Sequence, residues 1–162
     1  RPAIHRFRQT QGQIQSFPWH IQLYCPLNVL EALAGLVRSA PFPVVLDHVG
    51  AANPDAGPAQ PGFAAMLQLV REGKLYVKVT HRFLDPNPAA GLRMLTTLLN
   101  GNPERVLWGT DWPHPGTPAA SIGSITPSAR IDDQTHLQRF RQAVSRWDSL
   151  VFSTNPARLY FS

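Results

Sequence analysis

Four short apolar runs alternate with four helical patterns along this chain, and each run leads into a polar group. The runs are His20–Tyr24, Val44–Leu46 leading into Asp47-His48, Leu75–Thr80 and Val106–Thr110. Each is rich in Val, Leu, Ile or Tyr, as strands buried on both faces are. Between them, Leu30, Leu33, Ala34 and Val37 recur at helical spacing within Leu27–Arg38, as do Phe63, Met66, Leu67 and Val70 within Phe63–Arg71, which Gly73 ends. Ala89–Leu99 follows the third run and is closed by Gly101. Asp132–Trp147 is the last long helix, with Asp132 or Asp133 available as its N-cap. Alternation of this kind, in repeats of about 30 residues, predicts right-handed parallel βα units. Two architectures suit it: an open doubly wound sheet or half of a barrel. No glycine-rich turn follows the first run, which disfavours a dinucleotide fold.

The strand ends carry the chemistry. They deliver Tyr24; Asp47 and His48; Thr80 followed by His81 and Arg82; and Asp111 followed by Trp112, Pro113 and His114. Asp111 follows Val106-Leu107-Trp108-Gly109-Thr110, so an apolar strand carries a carboxylate to its rim, where it can ligate a metal or act as a general base toward water. The plainer reading is a turn-forming Asp. Gly109 leaves room for a close approach. His48 can polarise a carbonyl, shuttle a proton or bind a metal. Side-chain alternation puts Asp47 on the opposite side of its strand from His48. Arg82 offers a planar fork for a carboxylate, or an ordinary surface ion pair. Tyr24 can donate to a substrate or pack, and Lys78 either points inward or ends in a buried ion pair. His114 lies close to Asp111 on a loop. His20 sits at the wrong end of its strand, and His5 and His136 have no supporting context. Two Pro-rich loops, Ala51–Pro61 and Pro113–Pro127, follow strands and are expected over the same face.

Bulk properties narrow the class. Lys+Arg number 15 against 10 Asp+Glu, a net charge of +5, but the cations are scattered. There is no basic run interleaved with aromatics, so nucleic acid is not the expected partner, whereas a small anionic substrate is compatible. Cys25 is the only cysteine, so no internal disulfide can form. No apolar run approaches the length of a membrane span, and no targeting segment is visible. A cytoplasmic location follows as the expectation. The 162 residues are one partial domain, because a complete barrel of this type needs about 250. The chain opens on Arg1 without an initiator Met, and its expected place is the C-terminal half of a longer protein.

The segment Val106-Leu107-Trp108-Gly109-Thr110-Asp111-Trp112-Pro113-His114-Pro115 resembles the strand-eight motif of amidohydrolase family 2, close to its 2-pyrone-4,6-dicarboxylate lactonase branch. Trp19–Tyr24, Pro43–Gly50 and Leu75–Val79 resemble strands five, six and seven, and Asn155–Tyr160 the terminal helix. The resemblance implies a (β/α)8 barrel, here represented by strands five to eight. It implies Asp111 and His48 as catalytic residues, with Tyr24, Arg82 and His114 binding substrate.

In metal-dependent relatives strand five supplies a His ligand. Tyr24 stands at that place here, which favours the branch that works without a metal. The implied reaction is opening of a lactone or similar cyclic ester of a carboxylated small molecule, in aromatic degradation, by water that Asp111 activates. The alternatives are a metal-dependent amidohydrolase or decarboxylase using zinc or manganese, and an inactive half-barrel fragment. The chain alone is expected to be inactive or aggregation-prone, because the family's strand-one His pair is not in it and its sheet edges are open. Thr80-His81-Arg82 is also shorter than the family's Ser-Ala-Pro-Tyr-Arg type of sequence, which bears directly on Arg82.

Overall fold

A computed structural model describes residues 2–84, 87–114 and 130–161, with the Arg82 side chain also outside the described set. The strands are β1 (Ile21–Leu23), β2 (Val44–Leu46), β3 (Tyr76–Val79) and β4 (Val106–Trp108). They are the runs expected from sequence, β2 with the same bounds and the other three shorter by one or two residues at an end. The helices are α1 (Pro2–Ile14), α2 (Leu27–Ser39), α3 (Phe63–Arg71), α4 (His81–Leu84), α5 (Pro88–Gly101), α6 (Asp133–Ala143) and α7 (Asn155–Tyr160).

All strand pairs are parallel and the sheet order is β1-β2-β3-β4, the order of the chain. Right-handed crossovers that always add the next strand to the same edge keep their helices on one side of the sheet. The helices accordingly pack in sequence, α1 on α2, α2 on α3 and α3 on α5. A doubly wound sheet reverses its order and places helices on both faces, so this arrangement is the partial barrel.

Register sorts the strand side chains into two layers. Ile21, Val44, Leu46, Val77, Val79 and Val106 face the helices and join Leu30, Leu33, Phe63, Met66, Leu69 and Leu95 in the main core. Full burial of each such side chain contributes about 1.5–3 kcal/mol. The opposite face is the barrel interior. Val45, Tyr76 and Leu107 form a second cluster there with Leu159 of α7. Asn155 anchors α7 by donating from Nδ2 to the carbonyls of Pro103 and Val106, at 2.8 and 2.9 Å. The terminal helix therefore plugs the end of the interior where the strands begin. Gln22 and Lys78 share the inner face, level with Val45 and Leu107 respectively, and Gly109 follows Leu107 two positions nearer the rim.

Several expectations need correction. Helix α1 was not foreseen; its signal was Phe7 and Ile14, seven residues apart and both buried in a polar, arginine-rich run. Gly73 does end α3 in a left-handed conformation, φ 71°. Gly101, by contrast, is the last residue of α5, and Asn102 caps that helix in extended geometry. The last long pattern breaks after Ala143 into a short 3-10 turn at Ser145–Trp147. Asp132 is its N-cap, accepting from the Thr135 N–H at 3.0 Å and from the Thr135 hydroxyl at 2.7 Å. Among the described residues no helix is long and apolar enough to cross a membrane.

Candidate active site

Tyr24, His48 and Asp111 come together at the rim where the strands end. His48 Nε2 lies 3.5 Å from Asp111 Oδ1 and 3.8 Å from Asp47 Oδ2, while His48 Nδ1 lies 3.0 Å from the Thr80 hydroxyl. Two carboxylates facing Nε2 put the imidazole proton on that nitrogen, so Nδ1 accepts from Thr80 O–H. Thr80 is 1% exposed, which makes it a fixed post for the ring. The edge of the Tyr24 ring meets His48 with centroids 5.5 Å apart, and Tyr24 itself is 82% exposed, so its hydroxyl is open to an incoming molecule.

The backbone that carries His48 is unusual. His48, Val49, Gly50 and Ala51 all have left-handed φ, from 50° to 63°. Such a run costs about 1–2 kcal/mol per non-glycine residue, and strain of this kind persists only where the surroundings enforce it. Val49 is fully buried, and at Gly50 a Cβ would sit 2.8 Å from Leu27 Cδ2, so the turn is clamped from below. Its effect is to overturn the expected alternation. Continued as a strand, Asp47 would face inward and His48 outward; the left-handed turn brings His48 back over the interior, and both converge. The expectation that they face apart is corrected.

Asp47 is the hub of an inner-face network. Gln22 Nε2 donates to Asp47 Oδ2 at 2.7 Å, Lys78 Nζ donates to Gln22 Oε1 at 2.8 Å, and Lys78 Nζ lies 3.8 Å from Asp47 Oδ1. Of the two readings for Lys78, it takes the inward one, within an ion pair. Gly109 has a defined reason: a Cβ there would stand 2.9 Å from Lys78 Cδ. Gly109→Ala is therefore expected to displace the Lys78 stem and lower kcat/KM of the complete enzyme about tenfold, with overall stability reduced by roughly 1–2 kcal/mol. Steady-state kinetics beside a urea melt check it.

Asp111 also has left-handed φ, 63°, and opens a turn in which the His114 N–H donates to the Asp111 carbonyl at 2.7 Å across a cis Trp112–Pro113 bond. Behind that turn lies a group of three imidazoles. His81 meets His114 edge-on at 5.0 Å between centroids and His136 at 5.5 Å. His81 Nδ1 lies 3.2 Å from the Thr110 carbonyl, which can only accept, so Nδ1 carries a proton. His114 is 4% exposed, and its Nε2 donates to Asp133 Oδ2 at 2.9 Å. The structure thus turns His114 onto α6, behind the Asp111 turn. His136 is likewise no isolated surface group. His20 packs against Tyr160 at the far end of β1, as its strand position implied. Burial, followed by the charge of Lys78, pushes the His20 pKa down. His5 is exposed on α1. The backbone of Arg82 lies in α4, entered directly from β3, but its side chain falls outside the described residues. Of the two loops, Ala51–Pro61 folds into a turn at Pro54–Ala59, and residues 115–129 of the other lie outside the described residues.

Sequence reasoning missed Thr80 and Gln22 as site residues. Thr80 had a signal, being the polar residue at which β3 ends. Gln22 had one only through register, since it is paired with Val45 on the inner face.

A partial (β/α)8 barrel with a carboxylate, an imidazole and a phenol gathered at the C-terminal rim is the layout of barrel enzymes. The particular family is shown by comparison: the amidohydrolase family model matches residues 14–161, and the chain belongs to that family. A 4-sulfomuconolactone hydrolase of Hydrogenophaga intermedia is 33% identical over 102 residues, covering 60% of this chain and 34% of the relative. A 2-pyrone-4,6-dicarboxylate hydrolase of Comamonas testosteroni is 31% identical over 172 residues, covering 93% and 51%. A crystal structure named as a 2-pyrone-4,6-dicarboxylic acid hydrolase from Acinetobacter baumannii, with citric acid bound, superposes with TM-score 0.74 at 23% identity, over 94% of this chain and 56% of that one. The matched segments span 34% and 51% of the length of these two curated relatives, so the chain covers about half of them at most.

Proposed function

We propose that the complete protein is a hydrolase that opens a lactone or similar cyclic ester of a carboxylated small molecule. The observation that carries this reading is the 3.5 Å approach of His48 Nε2 to Asp111 Oδ1 at the barrel rim. The names of the relatives support the bond type. In this reading Asp111 takes a proton from water, and the water oxygen adds to the lactone carbonyl carbon. The proton on His48 Nε2 is offered to the carbonyl oxygen as negative charge builds there. The ring C–O bond then breaks, and the leaving oxygen takes back the proton held by Asp111. Tyr24 and Arg82 bind the substrate carboxylates. His114 holds the Asp111 turn and does not touch substrate.

Among the described residues no set of three His, Cys, Asp or Glu converges in a way that would hold a metal ion, and Tyr24 stands where a strand-end His would be needed. These residues do not fit a metal site by themselves, and no step here is routed through one. A cytoplasmic enzyme acting on small anions from aromatic degradation, without nucleic-acid or membrane partners, completes the proposal.

The test is hydrolysis of 2-pyrone-4,6-dicarboxylate and of 4-sulfomuconolactone by the complete enzyme, with and without a strong chelator. Turnover of either that survives chelation is the expected result. Turnover abolished by chelation and restored by zinc or manganese would replace this mechanism with a metal-dependent one. Absence of ring opening on both lactones would remove the substrate class.

A further inference from the structure

Three adjacent strands each place one polar residue on the inner face just beneath His48: Gln22 on β1, Asp47 at the end of β2 and Lys78 on β3. No step of the proposed reaction uses them. They form a continuous chain. Lys78 Nζ bonds Gln22 Oε1 at 2.8 Å, and the other end of that amide donates to Asp47 Oδ2 at 2.7 Å. The loop closes through the 3.8 Å approach of Lys78 Nζ to Asp47 Oδ1. Asp47 Oδ1 also accepts the backbone N–H of His48 at 3.2 Å. The Lys78 and Asp47 side chains are only 19% and 14% exposed, so neither charge is strongly screened by solvent. Gly109 keeps the space through which the Lys78 stem passes.

A half-buried carboxylate 3.8 Å from His48 Nε2 needs a cation of its own. Without one, the Asp47 carboxylate would set an uncompensated negative charge beside His48 and Asp111. We propose that Gln22, Asp47 and Lys78 are positioning residues: Asp47 fixes the backbone and ring of His48, Gln22 fixes Asp47, and Lys78 cancels the charge that Asp47 would otherwise add beside the catalytic pair. The inference deepens the proposed reaction and rests on it for its kinetic readout. The other titratable groups facing this network are Tyr24 and Asp111 at the rim, His20 before β1 and Tyr160 on α7. The field of the network reaches the last two. Burial and then the Lys78 charge lower the His20 pKa, and burial and then the Asp47 charge raise that of Tyr160.

Opposite substitutions should act in opposite directions, which separates a charge role from simple damage. In the complete enzyme, Lys78→Met removes a positive charge, so protons are held more tightly. The acid limb of the kcat/KM profile is expected to move to higher pH, with a loss of about tenfold on that limb. Asp47→Asn removes a negative charge and should move the limb to lower pH. The double variant should return toward wild type, and Lys78→Arg should leave the limb in place. A readout without turnover is 15N-histidine NMR of the same proteins, with the His48 signal assigned from His48→Gln: its titration should move in the same two directions. Limbs and NMR midpoints that stay put, or that move the same way in both single variants, would overturn the inference. If Asp111→Asn kept full turnover while the NMR shifts followed the predicted signs, the reaction assignment would fall and the charge balance would stand.

Discussion

Asp111→Asn is expected to lower kcat of the complete enzyme by about a thousandfold or more while KM changes less than about threefold. The amide keeps the shape of the carboxylate and the turn that the His114 N–H closes onto the Asp111 carbonyl at 2.7 Å, so the protein should fold and bind substrate normally. What is lost is the base. An amide oxygen cannot take a proton from water at neutral pH, and the whole loss should fall on the chemical step. His48→Gln should lose less, because Tyr24 and Arg82 would still hold the substrate while only the donor to the carbonyl oxygen changes. A loss confined to KM would show that Asp111 binds substrate rather than activating water.

The largest structural effect is expected at Gly62, against the start of α2. This residue precedes α3 with φ 81°, and a Cβ there would fall 2.3 Å from the Leu27 carbonyl oxygen and 2.5 Å from its carbon. Those are backbone atoms at the start of α2, where the Leu30 N–H bonds the Pro26 carbonyl at 3.1 Å, so no side-chain rotation relieves the clash. Gly62→Ala is expected to destabilise the complete protein by about 3 kcal/mol or more, read as a drop in the urea midpoint at unchanged slope. Ala51→Gly offers the converse. Ala51 has φ 50°, and glycine should relieve strain there by up to about 1 kcal/mol.

How much of this was legible beforehand follows from what sets each feature. The strands were readable because Val44–Leu46 and Val106–Trp108 are buried on both faces and so are uniformly apolar. The chain-order sheet was not decided by that pattern, since open sheets and barrels share it; the family resemblance supplied the choice. Asp111 and His48 stood out as candidates because they follow such runs, and the structure brings the two side chains together. The partners of Asp47 were not, because its contacts come from Gln22 and Lys78, which lie 25 and 31 positions away in sequence. Helix α1 escaped because only its buried stripe of Phe7 and Ile14 marks it. The contact of His114 with Asp133 was not legible for a different reason: nearness to Asp111 in sequence says nothing about which side of a reversing turn a side chain occupies.

The left-handed run at His48–Ala51 has a consequence for how densely a barrel can arm its rim. Alternation allows a strand to deliver every second residue to the interior, so each strand end normally contributes one side chain at a given depth. Reversing the backbone's handedness immediately after Asp47 lets β2 contribute two consecutive ones, a carboxylate that stays in the wall and an imidazole that leans over it. A carboxylate, an imidazole and the Gln22 and Lys78 contacts beneath them then fit within a few strands instead of being spread around the whole circumference. The same device makes the spacing unforgiving. A single residue inserted between Leu46 and Asp47 would leave β2 paired, yet shift Asp47, His48 and the buried Val49 out of the places they now hold.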